Sequence, residues 1–395
     1  MKDKLINVAI SFICAIIILF LLCCFVDIDI FSHSPYDTYT RQAIAWLDGK
    51  NYLDVEPSSV AYLELAQFDG KIFVSFPPVP TIIEVVLALF FGAQTPDRLL
   101  LFIYSLISVC ALTLAFLRKH PFYTSVLYAL FATVATNMLE GIAFGGVWHE
   151  AQLLSFALCS CAVALIGSKN NVLKGCSFFL VALAVGCRPF TVIFIPFLLF
   201  ELFKQIEADD LKCKIKKFSL YLIAPAVVAI LLMAYNFARF GNVFEFGHNY
   251  LPEFLNSQNG QFSFEYLFQN LKNALRIPLQ INNGKISVVF DQFGSNNFFI
   301  VNPIILMFLI YVIKDLFKKE NRVEAIFWFF AVVAFTIVTC MHKTLGGWQF
   351  GCRYFIDIIP FLAFYLSKRK LYFGVPEILI CIFGITLNLY GATLV

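Results

Sequence analysis

Asp37 stands in Tyr36-Asp37-Thr38-Tyr39, about ten residues past the first long apolar run. A carboxylate beside an apolar face suits general-base work. Other polar side chains stand where apolar runs begin or end. His149 and Glu150 open one run, Arg188 lies between two short ones, and Arg239 and Glu245 follow another. His342, Lys343, Gln349 and Arg353 fill a short polar stretch closed by Tyr354. The planar guanidinium of Arg matches phosphate bidentately. Carboxylates beside Arg, Lys and His, with Tyr36, Tyr39, Trp148, Trp348 and Tyr354 for stacking, suit an anionic lipid head group and a hydroxyl-bearing partner. Plainer roles stand beside these. Arg188 and Arg239 have a natural place in a head-group layer, His149 as an interfacial hydrogen-bonding residue, and Trp148 and Trp348 as aromatic-belt anchors. Asp48, Asp54 and Asp69 read as solvated loop charges, two of them before glycine as in ordinary turns. Glu84 and Asp357 read as structural partners of buried helix groups.

The elements that must position these residues are membrane helices. Of the 395 residues 60% are hydrophobic and only 14% charged, whereas a soluble domain is about 25% charged. Uncharged runs near the roughly 20 residues of a spanning helix recur, at Leu5–Val26, Leu99–Leu117, Pro121–Leu139, Phe218–Ala238 and Ala325–Met341 among others. Leu5–Val26 is too long for a signal-peptide core and no A-x-A site follows, so it reads as a retained helix. The 12 cysteines lie mostly within apolar runs and form no C-x-x-C pair, which argues for small buried hydrophobes over disulfides or zinc. A net charge of +3 carries no signal for nucleic acid.

Well over half of the 29 basic residues sit in six short stretches: Lys2/Lys4, Arg118/Lys119, Lys169/Lys174, Lys204–Lys217, Lys314–Arg322 and Lys368–Lys370. The positive-inside rule places all six, and the amino terminus, on the cytoplasmic side. That parity allows only one full crossing between Val26 and Arg118, so Val79–Gln94, which begins beside Pro80 and carries Glu84, reads as re-entrant or interfacial. The expected architecture is one all-α transmembrane domain over 1–395, with about eleven (10–13) crossings. A long first outer loop spans 27–78 and a second spans 240–297. In the first, Tyr39, Ala43, Trp46 and Leu47 recur at helical spacing and Asp48-Gly49 ends the helix. It reads either as a helix flat on the membrane interface or as one packed in a small ectodomain.

Tyr36-Asp37-Thr38-Tyr39 with Trp46-Leu47-Asp48-Gly49-Lys50-Asn51-Tyr52-Leu53 resembles the first outer loop of GT-C glycosyltransferases, the polytopic enzymes that use polyprenyl-phosphate-linked sugars. The protein O-mannosyltransferase and aminoarabinose-transferase groups belong to them. Phe76-Pro77-Pro78-Val79-Pro80 resembles their membrane re-entry motif, and Gly92 through Asp97-Arg98-Leu99 the turn that follows. Trp148-His149-Glu150-Ala151, Gly186-Cys187-Arg188-Pro189, the segment Tyr235–Gly241 and Gly351-Cys352-Arg353-Tyr354 with Asp357 and Pro360 follow in matching order. The likeness covers most of the chain, though each motif is short. Departures are the lone Asp37, where relatives carry paired acids, and His149-Glu150 in place of their second acidic motif. Relatives also count a full helix after the re-entry motif. A large carboxy-terminal soluble domain is absent, which speaks against an oligosaccharyltransferase.

The resemblance implies a glycosyltransferase, hexosyl or pentosyl in type, that moves a sugar with inversion from a polyprenyl-phosphate donor to an extracytoplasmic acceptor: a cell-envelope glycan, lipid or protein. It implies a bacterial inner or plasma membrane location. Asp37 would be the catalytic base, and Arg353, Arg188 and Lys343 the donor-phosphate contacts. Tyr36, Tyr39, His149, Glu150, Arg239, Trp348 and Tyr354 would contact substrate. No cofactor is required, although Asp37, His149 and Glu150 would offer a divalent-metal site if they converged. The alternatives are a lipid-linked glycan polymerase or ligase, and a transporter or flippase of an anionic lipid. A non-catalytic assembly subunit is a third.

Overall fold

Hydrocarbon offers peptide groups no hydrogen-bonding partner, so a chain this apolar must close its backbone bonds within helices. The computed structural model describes residues 2–56, 58–282, 284–288, 297–347 and 349–394, and among these nearly every element is a helix. The strands form two antiparallel hairpins, Leu65–Phe68 with Lys71–Val74 and Leu279–Asn282 with Lys285–Val288. The first hairpin turns on Asp69-Gly70 at φ of 48° and 69°, the backbone that matches strand twist.

Five helices are long and apolar enough to cross a bilayer: Asp97–Phe116, Gly146–Ile166, Ile223–Phe240, Arg322–Cys340 and Val375–Ala392. Phe122–Thr133 and Met138–Phe144, bent by 53°, make a sixth if the pair is one span. Length and composition thus give fewer spans than the eleven crossings expected from the sequence. Helix Val79–Phe91 has 13 residues, about 20 Å at 1.5 Å per residue against a hydrocarbon core of about 30 Å. It is shorter than a full span. Large side chains face outward along the helices, Phe90 at 79% exposure and Ile230 at 63%. Such surface is stable only against lipid, and the chain is an integral membrane protein.

The chain folds as two compact units interleaved in sequence. The first comprises Asp29–Tyr104 and Gly145–Gln261, the second Met1–Ile28, Ser105–Phe144 and Phe262–Val395. In the first unit, helix Thr38–Leu47 packs on helix Val79–Phe91. Its buried face carries Tyr39 and Ala43 but also Thr40 and Gln42. Thr40 donates to Glu84 Oε2 at 3.1 Å, and Thr81 donates to Gln42. The helix is therefore packed against Val79–Phe91 by a mixed polar and apolar face. Leu47 on the expected apolar stripe is 44% exposed, because the polar residues beside the stripe supply part of the contact.

In the second unit, Asp315 accepts hydrogen bonds from Tyr365 Oη at 2.7 Å and from Arg369 Nε. Glu324 accepts from Lys368 Nζ at 2.8 Å and Arg369 Nη2 at 3.1 Å. Lys119 Nζ donates to Lys368 O at 3.2 Å. Three of the six basic stretches meet at one end of this unit.

Candidate functional site

Asp37 is the N-cap residue of helix Thr38–Leu47. Its Oδ1 accepts from Arg41 Nε at 2.7 Å, one helical turn on. Its Oδ2 has no protein donor among the described residues. Asp37, Arg41, Asp48, Lys50 and Asp54 line an open cleft of about 240 Å³. That is slightly under the usual range of ligand pockets, about 300–1,000 Å³, and suits one sugar-sized polar group.

Asp97 holds the segment before Asp37 in place. Its Oδ1 accepts from Ser34 N at 2.7 Å and Arg98 N at 3.0 Å, and its Oδ2 accepts from Gly146 N at 3.0 Å. The Val147 N–H donates to Tyr36 O at 3.1 Å. One buried carboxylate thus ties the first outer loop to the start of helix Gly146–Ile166. Gly146 has φ +77°, and a Cβ there would lie 2.8 Å from Tyr36 Cβ. Gly146→Ala is therefore expected to cost about 1–3 kcal/mol and to displace Tyr36 and Asp37. Thermal unfolding in detergent checks the first effect and any activity assigned to Asp37 the second.

Behind this loop the acids are buried. Glu84 and Glu150 are each 2% exposed or less. Each has a buried Oε1 with no hydrogen-bond partner among the described residues. His149 is buried, with Nδ1 3.2 Å from Gly145 O. Tyr39 is fully buried and donates its hydroxyl to Pro77 O at 3.1 Å. Burial pushes its phenol pKa well up, which fixes it as a hydrogen-bond donor. Tyr36 packs on Trp148, ring centroids 4.8 Å apart. Among the described residues no group of three His, Cys, Asp or Glu side chains is placed to hold a metal ion. Asp37, His149 and Glu150 therefore do not converge as the metal alternative required.

Arg188 and Arg239 belong to the same unit. Arg188 ends the Gly186-Cys187-Arg188 turn, where the Gly186 carbonyl accepts from Val79 N at 3.2 Å. A Cβ on Gly186 would fall 2.4 Å from Val79 Cγ2, so only glycine permits that approach. Arg239 is 3% exposed, donates to Val74 O at 2.7 Å and Asn236 Oδ1 at 3.2 Å, and lies over the Tyr235 ring at 4.2 Å. Both guanidinium groups are within electrostatic reach of Tyr39, and Arg188 also of His248. His248 Nδ1 meets Ser75 O at 2.6 Å, and burial pushes its pKa below the usual histidine value.

In the second unit, Arg353 is 4% exposed and its Nε and Nη2 both donate to Gly346 O, at 3.3 and 2.9 Å. Leu345, Gly346 and Gly347 are consecutive residues at positive φ, a tight loop that turns this carbonyl onto the guanidinium. Glu140 anchors the loop, accepting from Phe350 N at 2.6 Å and Asn137 Nδ2 at 3.2 Å. Arg353 lies over the Tyr354 ring at 5.2 Å, and Tyr354 meets His342 at 5.8 Å. Lys343 is half-buried in the same loop. Trp348 lies outside the described residues.

Neither a family model nor a curated protein sequence matches the chain. A crystal structure of ArnT from Cupriavidus metallidurans bound to undecaprenyl phosphate is similar to it, with a TM-score of 0.50 over 92% of this chain at 12% identity. The fold is ArnT-like. This chain spans 60% of the length of that ArnT chain. The ArnT-like fold is the polytopic helical architecture that the sequence resemblance implies.

Within this fold the sequence-derived residues fall into two sets. Tyr36, Asp37, Tyr39, His149, Glu150, Arg188 and Arg239 share the first unit, and Lys343, Arg353 and Tyr354 the second. Sequence reading passed over Arg41, although its spacing of four from Asp37 on a helix is a standard ion-pair signal. It also passed over the anchoring roles of Asp97 and Glu140, whose signal is a lone acid at the edge of apolar sequence.

Proposed function

We propose that this protein is a membrane glycosyltransferase that uses a polyprenyl-phosphate-linked sugar. One observation carries the proposal: in an ArnT-like fold, Asp37 opens on a polar cleft with one carboxylate oxygen held by Arg41 and the other available. Asp37 takes the proton of an acceptor hydroxyl as that oxygen attacks the anomeric carbon. The bond between that carbon and the lipid phosphate breaks, the configuration inverts, and the polyprenyl phosphate leaves with the electron pair. The leaving group needs charge neutralisation more than a proton. Arg188 offers that charge in the unit that carries Asp37. Arg353 and Lys343 are proposed as donor-phosphate contacts on the resemblance alone. Tyr36, His149 and Tyr354 are proposed as sugar contacts. Tyr39 and Glu150, both buried in the core, support the site from behind. The sugar, the acceptor, the outer-face orientation and the count of about eleven crossings belong to the same proposal.

The test is to incubate reconstituted protein with a series of radiolabelled polyprenyl-phosphate sugars and cell-envelope acceptors. Release of polyprenyl phosphate coupled to acceptor labelling supports the reading. Transbilayer movement of the lipid with no acceptor labelled would replace it with a flippase. Arg353→Lys keeps charge and loses the planar fork, so the KM for donor is expected to rise about tenfold or more with a smaller change in kcat. An unchanged donor KM removes Arg353 from the phosphate site.

A further inference from the structure

Helix Leu211–Leu220, LKCKIKKFSL, buries none of its residues. Asp210 caps it by accepting from Cys213 N at 2.6 Å, so it is a formed helix. Leu211, Ile215 and Phe218 recur at i, i+4 and i+7 and therefore share one face. Lys212 and Lys216 flank that face on one side, Lys214 and Lys217 on the other. Leu211 is 65% exposed and Ile215 53%. Phe218 meets Phe203 at 5.7 Å and Lys214 lies over the same ring at 4.5 Å, which fixes the helix against Ile195–Gln205. Lys217 Nζ donates to Glu207 O at 2.9 Å. None of the four lysines forms an ion pair among the described residues. Two residues later begins the apolar helix Ile223–Phe240, and Ile223 is 59% exposed.

We propose that helix Leu211–Leu220 is a binding surface for anionic phospholipid head groups in the leaflet it adjoins. In water the exposed Leu211 and Ile215 would go unburied beside four lysines, an excess of positive charge over the three acids Glu207, Asp209 and Asp210 that precede them. In the head-group layer the apolar stripe enters the acyl boundary while lysines on both flanks reach phosphates. Continuity with a candidate span places the helix at that depth, which favours lipid over an acidic protein partner. The proposal rests on the membrane reading of the fold and is independent of the transfer reaction.

The experiment is amide hydrogen exchange of residues 211–222 in full-length protein. It is held in nanodiscs of phosphatidylcholine, with or without phosphatidylglycerol. Exchange is expected to slow about fivefold or more with phosphatidylglycerol, given the attraction of each lysine to an anionic surface. High salt should remove the difference. A Lys212→Gln/Lys214→Gln/Lys216→Gln/Lys217→Gln variant should lose it, and Lys212→Gln/Lys216→Gln should lose part of it. Exchange in Gly146–Ile166 should stay constant throughout and reports that the variants fold. Equal exchange in both lipids would overturn the proposal, as would a lipid effect that survives in the fourfold variant, or protection that needs an added acidic protein.

Discussion

Replacing Asp37 with asparagine is expected to lower sugar transfer by about 10²–10⁴-fold, the usual contribution of a positioned general base. Asparagine keeps the size and can still accept a hydrogen bond from Arg41, but it cannot take a proton. The loss should fall on kcat and kcat/KM together, because the proton moves only in the transition state. Stability should hardly change. Arg41 is 42% exposed in its ion pair with Asp37, and exposed pairs contribute about 0–1 kcal/mol. The measurement is single-turnover transfer in reconstituted vesicles, beside thermal unfolding of the same preparation. Transfer at the unsubstituted rate in a folded variant would sink Asp37 as the base.

Arg369→Ala is expected to destabilise the second unit by about 3–5 kcal/mol, the range for breaking a buried ion pair from one side. The Asp315 side chain is 1% exposed and that of Arg369 8%, so solvent cannot replace the lost partner. Tyr365 Oη at 2.7 Å, Asn321 Nδ2 at 3.1 Å and the exposed Lys318 Nζ at 3.6 Å still face Asp315, which places the expected loss at the lower end of that range. The double variant Asp315→Asn/Arg369→Met removes both charges and should be less destabilised than Arg369→Ala alone. Thermal unfolding in detergent checks both. An Arg369→Ala protein as stable as the parent would show that the cluster is solvated in the membrane.

Arg353 and Asp37 show how unevenly the site was legible. Both were picked out because a charge at the edge of an apolar run is costly unless it is used. The support for each was not legible. Asp97 binds Ser34 N and Gly146 N across separations of 63 and 49 residues, and no local pattern encodes such a pairing. Glu140 reaches Phe350 N across 210 residues for the same reason. Tyr39 shows the converse. Its place beside Asp37 suggested a substrate contact, yet its hydroxyl is bound to Pro77 O within the core. Helix Thr38–Leu47 was visible from its spacing and its Asp48-Gly49 stop. Which face it buries was not, since Thr40 and Gln42 become favourable inside only once Glu84 and Thr81 meet them.

The sequence by itself determined that this chain is helical and lives in a membrane, because hydrophobic length and charge spacing are local quantities with large energies. It also marked the charges that apolar surroundings make expensive. Only the tertiary structure decided which of those charges are held by partners and which remain available. Those pairings join residues far apart along the chain, and burial gives them their strength.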